Sequence, residues 1–417
     1  MSPEQEKRAR RQLHRVLISV FLSSLAMMSA LPHLPRYLEE RFDLTGDEWA
    51  LYSGLIFGAA PFAAAFAGPI WGALGDRFGR KWNLVRAQVT ITSFLLLFPL
   101  IGSLWGLVVL RLLQGLCSGW VAPAFSLASA GWPSERRGRV LGSLQLVMTL
   151  GLLLGPLLGA EVLAAFGRSG PFFMGALPAL TALLITLTIG EDRATLKDGS
   201  DGGRKGRVLD GFRLVVQSHV LALFLGAMCL GRLGIALVEP QLAIFVREEL
   251  GPLSWILYDS HEDAIDRTVA YLSTVLALGV LVSGAMWSRL GDRLRPVRVL
   301  AVCGFLTGIS LILMSSVDTS VGLLGWRALY ALGFAGLLPL SYSAISRITP
   351  SDSIGAAYAL NQSAVQLALG VGFALGGVFE GLIEIRSLLI LSGVVGILAY
   401  GGLPLVRMLH DRQQARG

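Results

Sequence analysis

Several ionisable side chains stand inside stretches of this sequence that are otherwise apolar. RLLQGLCSG, residues 111 to 119, opens on Arg111 and sets Gln114 three and Ser118 seven residues later, one polar stripe along a helix beside Gly115 and Gly119. Arg232 and Glu239 are again seven apart, and Arg327 is followed by Tyr330 and Phe334 at the same spacing. His33 sits between two prolines in SALPHLPRY, residues 29 to 37. A guanidinium in apolar surroundings is costly unless it faces a protein interior. Its planar fork suits carboxylates and phosphates. A carboxylate or imidazole in the same setting takes up and releases a proton. The chemistry on offer is therefore charge recognition and proton movement. No Walker lysine loop, HExxH or clean Rossmann fingerprint occurs, so ATP drive and hydrolysis have no support and the chain is not expected to be an enzyme.

The elements that position these groups follow from composition. Of 417 residues, 53% are hydrophobic and 15% charged, with a mean hydropathy of +0.64. Soluble domains carry roughly 25% charged residues. Fifty glycines fit close helix packing in lipid. Cys117, Cys229 and Cys303 lie far apart without ligand spacing, so neither a disulfide framework nor a metal site is expected. The net charge of +7 is spread over short gaps between apolar runs, which fits membrane topology and not nucleic acid.

With about 20 apolar residues per crossing, spans are expected at 16 to 38, 49 to 71, 83 to 103, 104 to 130, 139 to 165 and 171 to 190. Six more are expected at 214 to 246, 268 to 288, 297 to 317, 320 to 346, 356 to 382 and 385 to 406. The basic start, residues 1 to 15, is expected to precede a retained first span and not a cleaved signal. Residues 191 to 213 read as a charged, Gly-rich linker, and residues 407 to 417 as a tail. Of the 35 Lys and Arg, 26 fall on the side holding both termini and six on the other. That asymmetry predicts cytoplasmic termini, and the membrane is expected to be an inner, cytoplasmic one.

The chain also repeats. Asp76 and Asp292, Arg111 and Arg327, and Pro123 and Pro339 are each 216 residues apart, and Gly155 and Gly372 are 217 apart. Two six-helix halves of the same topology follow, residues 16–190 and 214–406, giving an all-α membrane protein of twelve helices in two pseudo-symmetric bundles.

These residues resemble the major facilitator superfamily, and within it the twelve-span drug:proton antiporter branch. The turn WGALGDRFGRKWNL, residues 71 to 84, matches the G-x-L-x-D-R-x-G-R-K signature at Gly72, Leu74, Asp76, Arg77, Gly79, Arg80 and Lys81, and is partly repeated at Asp292 and Arg293. RLLQG fits the branch's fourth-span motif. GLLLGPLLGA, residues 151 to 160, fits its fifth-span motif at Gly151, Gly155, Pro156 and Gly159, with Ala160 where a glycine is usual. The turn is either a topology signal alone or, as the resemblance implies, a gate on the rocking of the halves. The fifth-span glycines and proline serve either plain close packing of helices or, as the resemblance implies, a bend that seals the cytoplasmic or outer path.

A rise of about 1.5 Å per residue puts Arg111 roughly 10 Å below the outer face, with His33, Arg232 and Arg327 at a similar level. Arg111 is expected either to line the cavity or to be a buried arginine bonded to carbonyls. Trp120, Tyr330 and Phe334 are candidates to line an apolar pocket. The branch's usual first-half carboxylate is missing, since no Asp or Glu occurs in 16 to 38 or 104 to 130. Glu239, Glu161 and His33 are therefore the candidate proton carriers, with Arg232 tuning Glu239, while Arg36 is expected to snorkel outward. The expected function is proton-coupled export of small amphipathic compounds by a monomer working in the lipid bilayer. Its driving force is the proton gradient, without cofactor. Organic-anion uptake or exchange is the alternative, and a non-transporting receptor or scaffold the remote one.

Overall fold

The computed structural model describes residues 3–129, 132–190, 218–256, 260–349 and 353–404, and these are helical without strands. The linker 191–213 and tail 407–417 expected from sequence lie outside the described residues. Eleven helical stretches are long and apolar enough to cross a membrane, and a twelfth, Ile385–Gly401, is shorter at 17 residues.

Span 1 comprises Pro3–Ala30, a 3-10 turn Leu31–His33 and Leu34–Phe42. Its helix starts well before the expected residue 16. The basic stretch is held as helix because Glu6 bonds Arg10 one turn on at 2.7 Å and Arg136 of span 5 at 3.1 Å. Span 2 is Gly46–Phe78 and span 3 is Arg80–Leu97, with Gly79 alone between them at φ +107°. Only glycine adopts that conformation without strain, which is why so short a charged gap suffices. Span 4 is Leu104–Cys117 and Val121–Ser129, span 5 Ser134–Phe166 and span 6 Gly170–Leu187. Span 7 is His219–Val238 and Leu242–Phe245, followed by a π turn Val246–Leu250. Spans 8 to 12 are His261–Arg293, Pro296–Met314, Ser320–Ile348, Ile354–Glu380 and Ile385–Gly401.

Spans 1, 4 and 7 are thus interrupted where continuous helices were expected. Pro32 and Pro35 flank the first break, and Pro240 withdraws an N–H from the helix ladder at the third. Gly119, at φ +98°, follows an extended Ser118 at the second. By contrast Pro156 and Pro339 stay inside unbroken helices.

The two halves repeat one packing plan. Span 1 lies on spans 5 and 6, span 2 on 4, and span 3 on 6; correspondingly span 7 lies on 11 and 12, 8 on 10, and 9 on 12. Glycines explain the shared spacing of 217. A methyl on Gly159 would collide with the Ser29 carbonyl oxygen of span 1, and one on Gly376 with the Leu237 carbonyl oxygen of span 7. Gly151 and Gly155 bring the same face of span 5 against Ser24 and Met28. Backbone cannot yield as a side-chain tip does, so Gly159→Ala is expected to cost about 1–3 kcal/mol, as overpacking does. The check is the midpoint of thermal unfolding of the purified protein; an unchanged midpoint contradicts this packing.

Spans 2 and 11 and spans 5 and 8 join the halves. The interactions that join them lie from mid-membrane to the end away from the chain termini. Gly54 and Gly58 meet Phe373, Gly377 and Gly370, the Phe57 and Phe373 rings cross at 6.0 Å, and Thr274 Oγ1 donates to the Leu153 carbonyl at 3.2 Å. The halves are closed at that far end.

Candidate functional site

Charged turns occupy the terminal end. Lys81 Nζ donates to the Leu187 carbonyl at 2.8 Å and Arg80 to that of Ser126 at 3.4 Å, both near helix C-termini whose last carbonyls have no intrahelical partner. Arg86 lies flat on Trp71, 3.6 Å from the ring centre, and donates to the Ser118 carbonyl at 3.0 Å. These bonds stay within the first half. The side chains of Asp76, Arg77 and Asp292 lie outside the described residues; Arg293 is exposed, and in this second turn Arg347 bonds the Gly291 carbonyl at 3.1 Å. Pro296 opens span 9 at a position where a helix needs no N–H.

In the first half's interior Arg111 is buried and fully engaged. Its Nε donates to the Ile56 carbonyl at 2.9 Å, one terminal nitrogen to Gln114 Oε1 at 2.5 Å, and the other to the Phe57 carbonyl at 3.3 Å. Gln114 is therefore the orienting partner its spacing suggested. Ser118 is not, because the helix ends at Cys117 and Ser118 turns back on the Gly115 carbonyl. Of the two roles considered for Arg111, the geometry satisfies the carbonyl-bonded one. Arg111→Lys keeps the charge but loses the fork, and is expected to lower stability by about 1.5–3 kcal/mol, one or more charge-assisted hydrogen bonds. Thermal unfolding with and without substrate checks it; loss of substrate binding at unchanged stability contradicts it.

His33 is buried, and its Nε2 donates to the carbonyl of Pro156 at 3.1 Å, directly beside Gly159. The imidazole thus fastens span 1 to the glycine-proline face of span 5. Trp120 packs against the first half's core.

In the second half Arg327 and Glu239 form a two-pronged ion pair, one bond of 3.1 Å and a shorter one between Arg327 Nη2 and Glu239 Oε1. Arg327 is the partner of Glu239 in place of the expected Arg232. Two turns separate 232 from 239 along the helix, and Glu239 lies in the turn where the helix has ended. The arginine side chain is 3% exposed and the carboxylate 31%, so the acid is the exposed member of the pair. Arg327 also lies over the Tyr330 ring at 4.7 Å, Tyr330 stacks on Phe334 at 5.6 Å, and Arg232 sits over Phe334 at 5.0 Å. A continuous chain of charge and aromatic faces therefore runs from Glu239 to Arg232.

At the far end the halves are tied by ions. Arg36 of span 1 pairs with Asp266 of span 8, with Glu40 at 2.5 Å and with Glu262 at 3.6 Å. Arg247 joins Glu39 at 3.2 Å to Glu262 at 2.5 Å, and Arg267 holds both oxygens of Glu161 at 2.9 and 3.1 Å. Arg36 thus reaches across to the other half where it was expected to snorkel outward, and Glu161 serves the same latch. Sequence reasoning missed Glu39, Arg247, Glu262 and Asp266. Their only sequence signal is charge at span ends, which reads equally as interface.

Twelve helical spans in two repeated bundles, with charge held between them, define a membrane-transporter fold. The family model described as the Major Facilitator Superfamily matches residues 16–257 and 229–416. The chain belongs to the major facilitator superfamily and is a multi-span membrane transporter. It is 26% identical over 382 residues to a multi-drug resistance efflux pump PmrA homolog of Lactococcus lactis, covering 91% of each chain. It is 27% identical over 407 residues to the multidrug resistance protein MdtG of Enterobacter lignolyticus, covering 95% of this chain and 93% of that one. Among solved structures it is similar to the nucleoside transporter NupG at a TM-score of 0.71 and 14% identity, over 95% of this chain and 98% of that one. A POT family peptide transporter gives 0.71 and 14% over 95% and 97%. At that identity the likeness is one of fold.

Proposed function

We propose that this protein exports small amphipathic compounds in exchange for protons, rocking its two halves about the layer of Arg111, Arg232, Glu239 and Arg327. It would do so as a monomer in an inner membrane, with both termini in the cytoplasm. The names of its relatives support export, and the 26-to-six distribution of basic residues supports the orientation. One observation carries the coupling: a carboxylate at the break in span 7 is paired to a buried arginine of span 10 yet stays partly exposed. A proton on Glu239 cancels the charge that holds Arg327. A cationic or hydrogen-bond-donating substrate group that pairs with the ionised Glu239 takes the place of that proton, so each occupant excludes the other, and exclusion of this kind is what exchange requires. His33 and Glu161, the other candidate carriers, are less suited: His33 is buried against the Pro156 carbonyl with no charged partner among the described residues, and Glu161 belongs to the far-end latch with Arg267, away from the arginine layer.

Organic-anion transport is the second reading. It is favoured by three interior arginines set against one paired carboxylate.

The test is accumulation of amphipathic dyes, anionic and cationic, in sealed vesicles under an imposed pH gradient. Uptake into inverted vesicles that a protonophore collapses is the expected result. Flux no greater than that of protein-free vesicles, or flux indifferent to the protonophore, overturns the coupling.

A further inference from the structure

Of the three interior guanidinium groups, two have their charge met by the fold. Arg111 holds three oxygens and Arg327 holds Glu239. Arg232 has no hydrogen-bond acceptor among the described residues, is 5% exposed, and its Nε is buried without a partner. Such a group is costly in a membrane interior, where water cannot replace the missing acceptor.

Its surroundings are aromatic and largely buried. The Phe334 ring lies under the guanidinium at 5.0 Å and stacks on the Tyr330 ring at 5.6 Å. The Tyr400 hydroxyl is also buried without a partner. Its ring is wedged where a methyl on either Gly231 or Gly304 would strike it, so it cannot swing away to find one. Two donors, a guanidinium N–H and a phenol O–H, thus lie close together, the Tyr400 ring packing on Gly231 beside Arg232, and neither has an acceptor among the described residues. Aromatic faces beside them accept an apolar body.

We propose that Arg232, the Tyr400 hydroxyl and the Phe334 ring form a subsite for the anionic group, a carboxylate or sulfonate, of a transported compound with an aromatic body. The inference rests on the reading of the protein as a transporter of amphipathic compounds and names the charge of what it carries. The anion supplies the missing acceptor and neutralises the charge that Glu239 leaves uncompensated, while the aromatic body stacks toward Phe334. The site belongs to the second half alone and so travels with it as the halves rock.

The test is equilibrium binding to the full-length protein in phosphatidylcholine nanodiscs, corrected for empty discs. The probes are 8-anilinonaphthalene-1-sulfonate and its uncharged parent N-phenyl-1-naphthylamine, which differ only by the sulfonate. The wild type is expected to bind the sulfonate about tenfold to a hundredfold more tightly than the parent, the range of a charge-assisted hydrogen bond. Arg232→Gln is expected to erase that preference while changing affinity for the parent by less than about twofold. Tyr400→Phe removes part of it. Equal binding of the two probes by the wild type, or an undiminished preference in Arg232→Gln, overturns the subsite. Should Arg232→Gln fail to fold, Arg232→Lys and Tyr400→Phe decide, and a preference unchanged in both overturns it. Binding needs no gradient, so the two readings fail separately. Sulfonate preference without pH-driven flux upholds the subsite against the exporter, and pH-driven flux without sulfonate preference removes the subsite alone.

Discussion

Glu239→Gln is expected to abolish accumulation driven by a pH gradient while leaving downhill exchange of substrate intact. Glutamine has nearly the shape of the protonated acid and keeps one carbonyl oxygen to receive an N–H of Arg327. The substituted protein should therefore rock as the protonated one does but never release the proton it mimics. The two prongs of the native pair become one neutral contact, and Arg327 keeps a buried charge that its present partner no longer balances. Breaking a buried pair costs about 3–5 kcal/mol, so some loss of thermal stability should accompany the loss of coupling. Assays on matched amounts of folded protein separate the two. Full pH-driven accumulation by Glu239→Gln removes this residue from the proton path and returns attention to His33 and Glu161.

The second large effect is expected at the far-end latch. Arg36→Asp sets a new carboxylate against the buried Asp266 and against Glu40 and Glu262, which now lie around one guanidinium. At about 3–5 kcal/mol for breaking such a buried pair, the state closed at that end should lose a factor of a hundred or more in population. Transport slows because one of the two alternating states is no longer visited. Distances between spin labels on spans 1 and 8 would report the opening, and the reciprocal double variant, Arg36→Asp with Asp266→Arg, should restore both closure and rate. Wild-type closure in the single variant, or no recovery in the double, shows that the helix contacts of spans 2 and 11 hold this end without help from charge.

Much of the architecture was legible because a membrane leaves few options. Every backbone group must be satisfied within its span, so apolar runs translate directly into helices, and the equal spacing of Asp76, Arg111 and Pro123 from their counterparts exposes the repeat. The structure then explains one of those spacings: Gly155 and Gly372 lie on equivalent faces, span 5 against span 1 and span 11 against span 7. The interruptions were not legible in the same way. Pro32, Gly119 and Pro240 sit in runs that remain apolar, and Pro156 and Pro339, with the same local signal, stay within continuous helices.

The site was half visible. Type and spacing singled out Arg111, Arg232, Glu239 and Arg327, but partners belong to tertiary packing. Arg111 is held by carbonyls of residues 56 and 57, which carry no side-chain signature, and Glu239 meets an arginine 88 positions away. Arg36 and Asp266 are 230 positions apart and each alone looks like an interfacial charge. A buried polar knot between Ser19, Gln88 and Thr186, tying spans 1, 3 and 6, escaped notice for the same reason: single uncharged polar residues in an apolar run leave no periodic trace.

The account turns on exchange of substrate for protons, and the most direct measurement of that is proton counterflow. Purified protein is reconstituted into liposomes holding a pH-sensitive dye, with no imposed pH gradient, and an amphipathic substrate gradient is applied from outside. Inward movement of substrate should drive protons out, raising the internal pH in wild type and not in Glu239→Gln, with the membrane potential clamped by a potassium ionophore. Substrate entry at wild-type rates with no change of internal pH would contradict the coupling and leave a uniporter or an anion exchanger in its place.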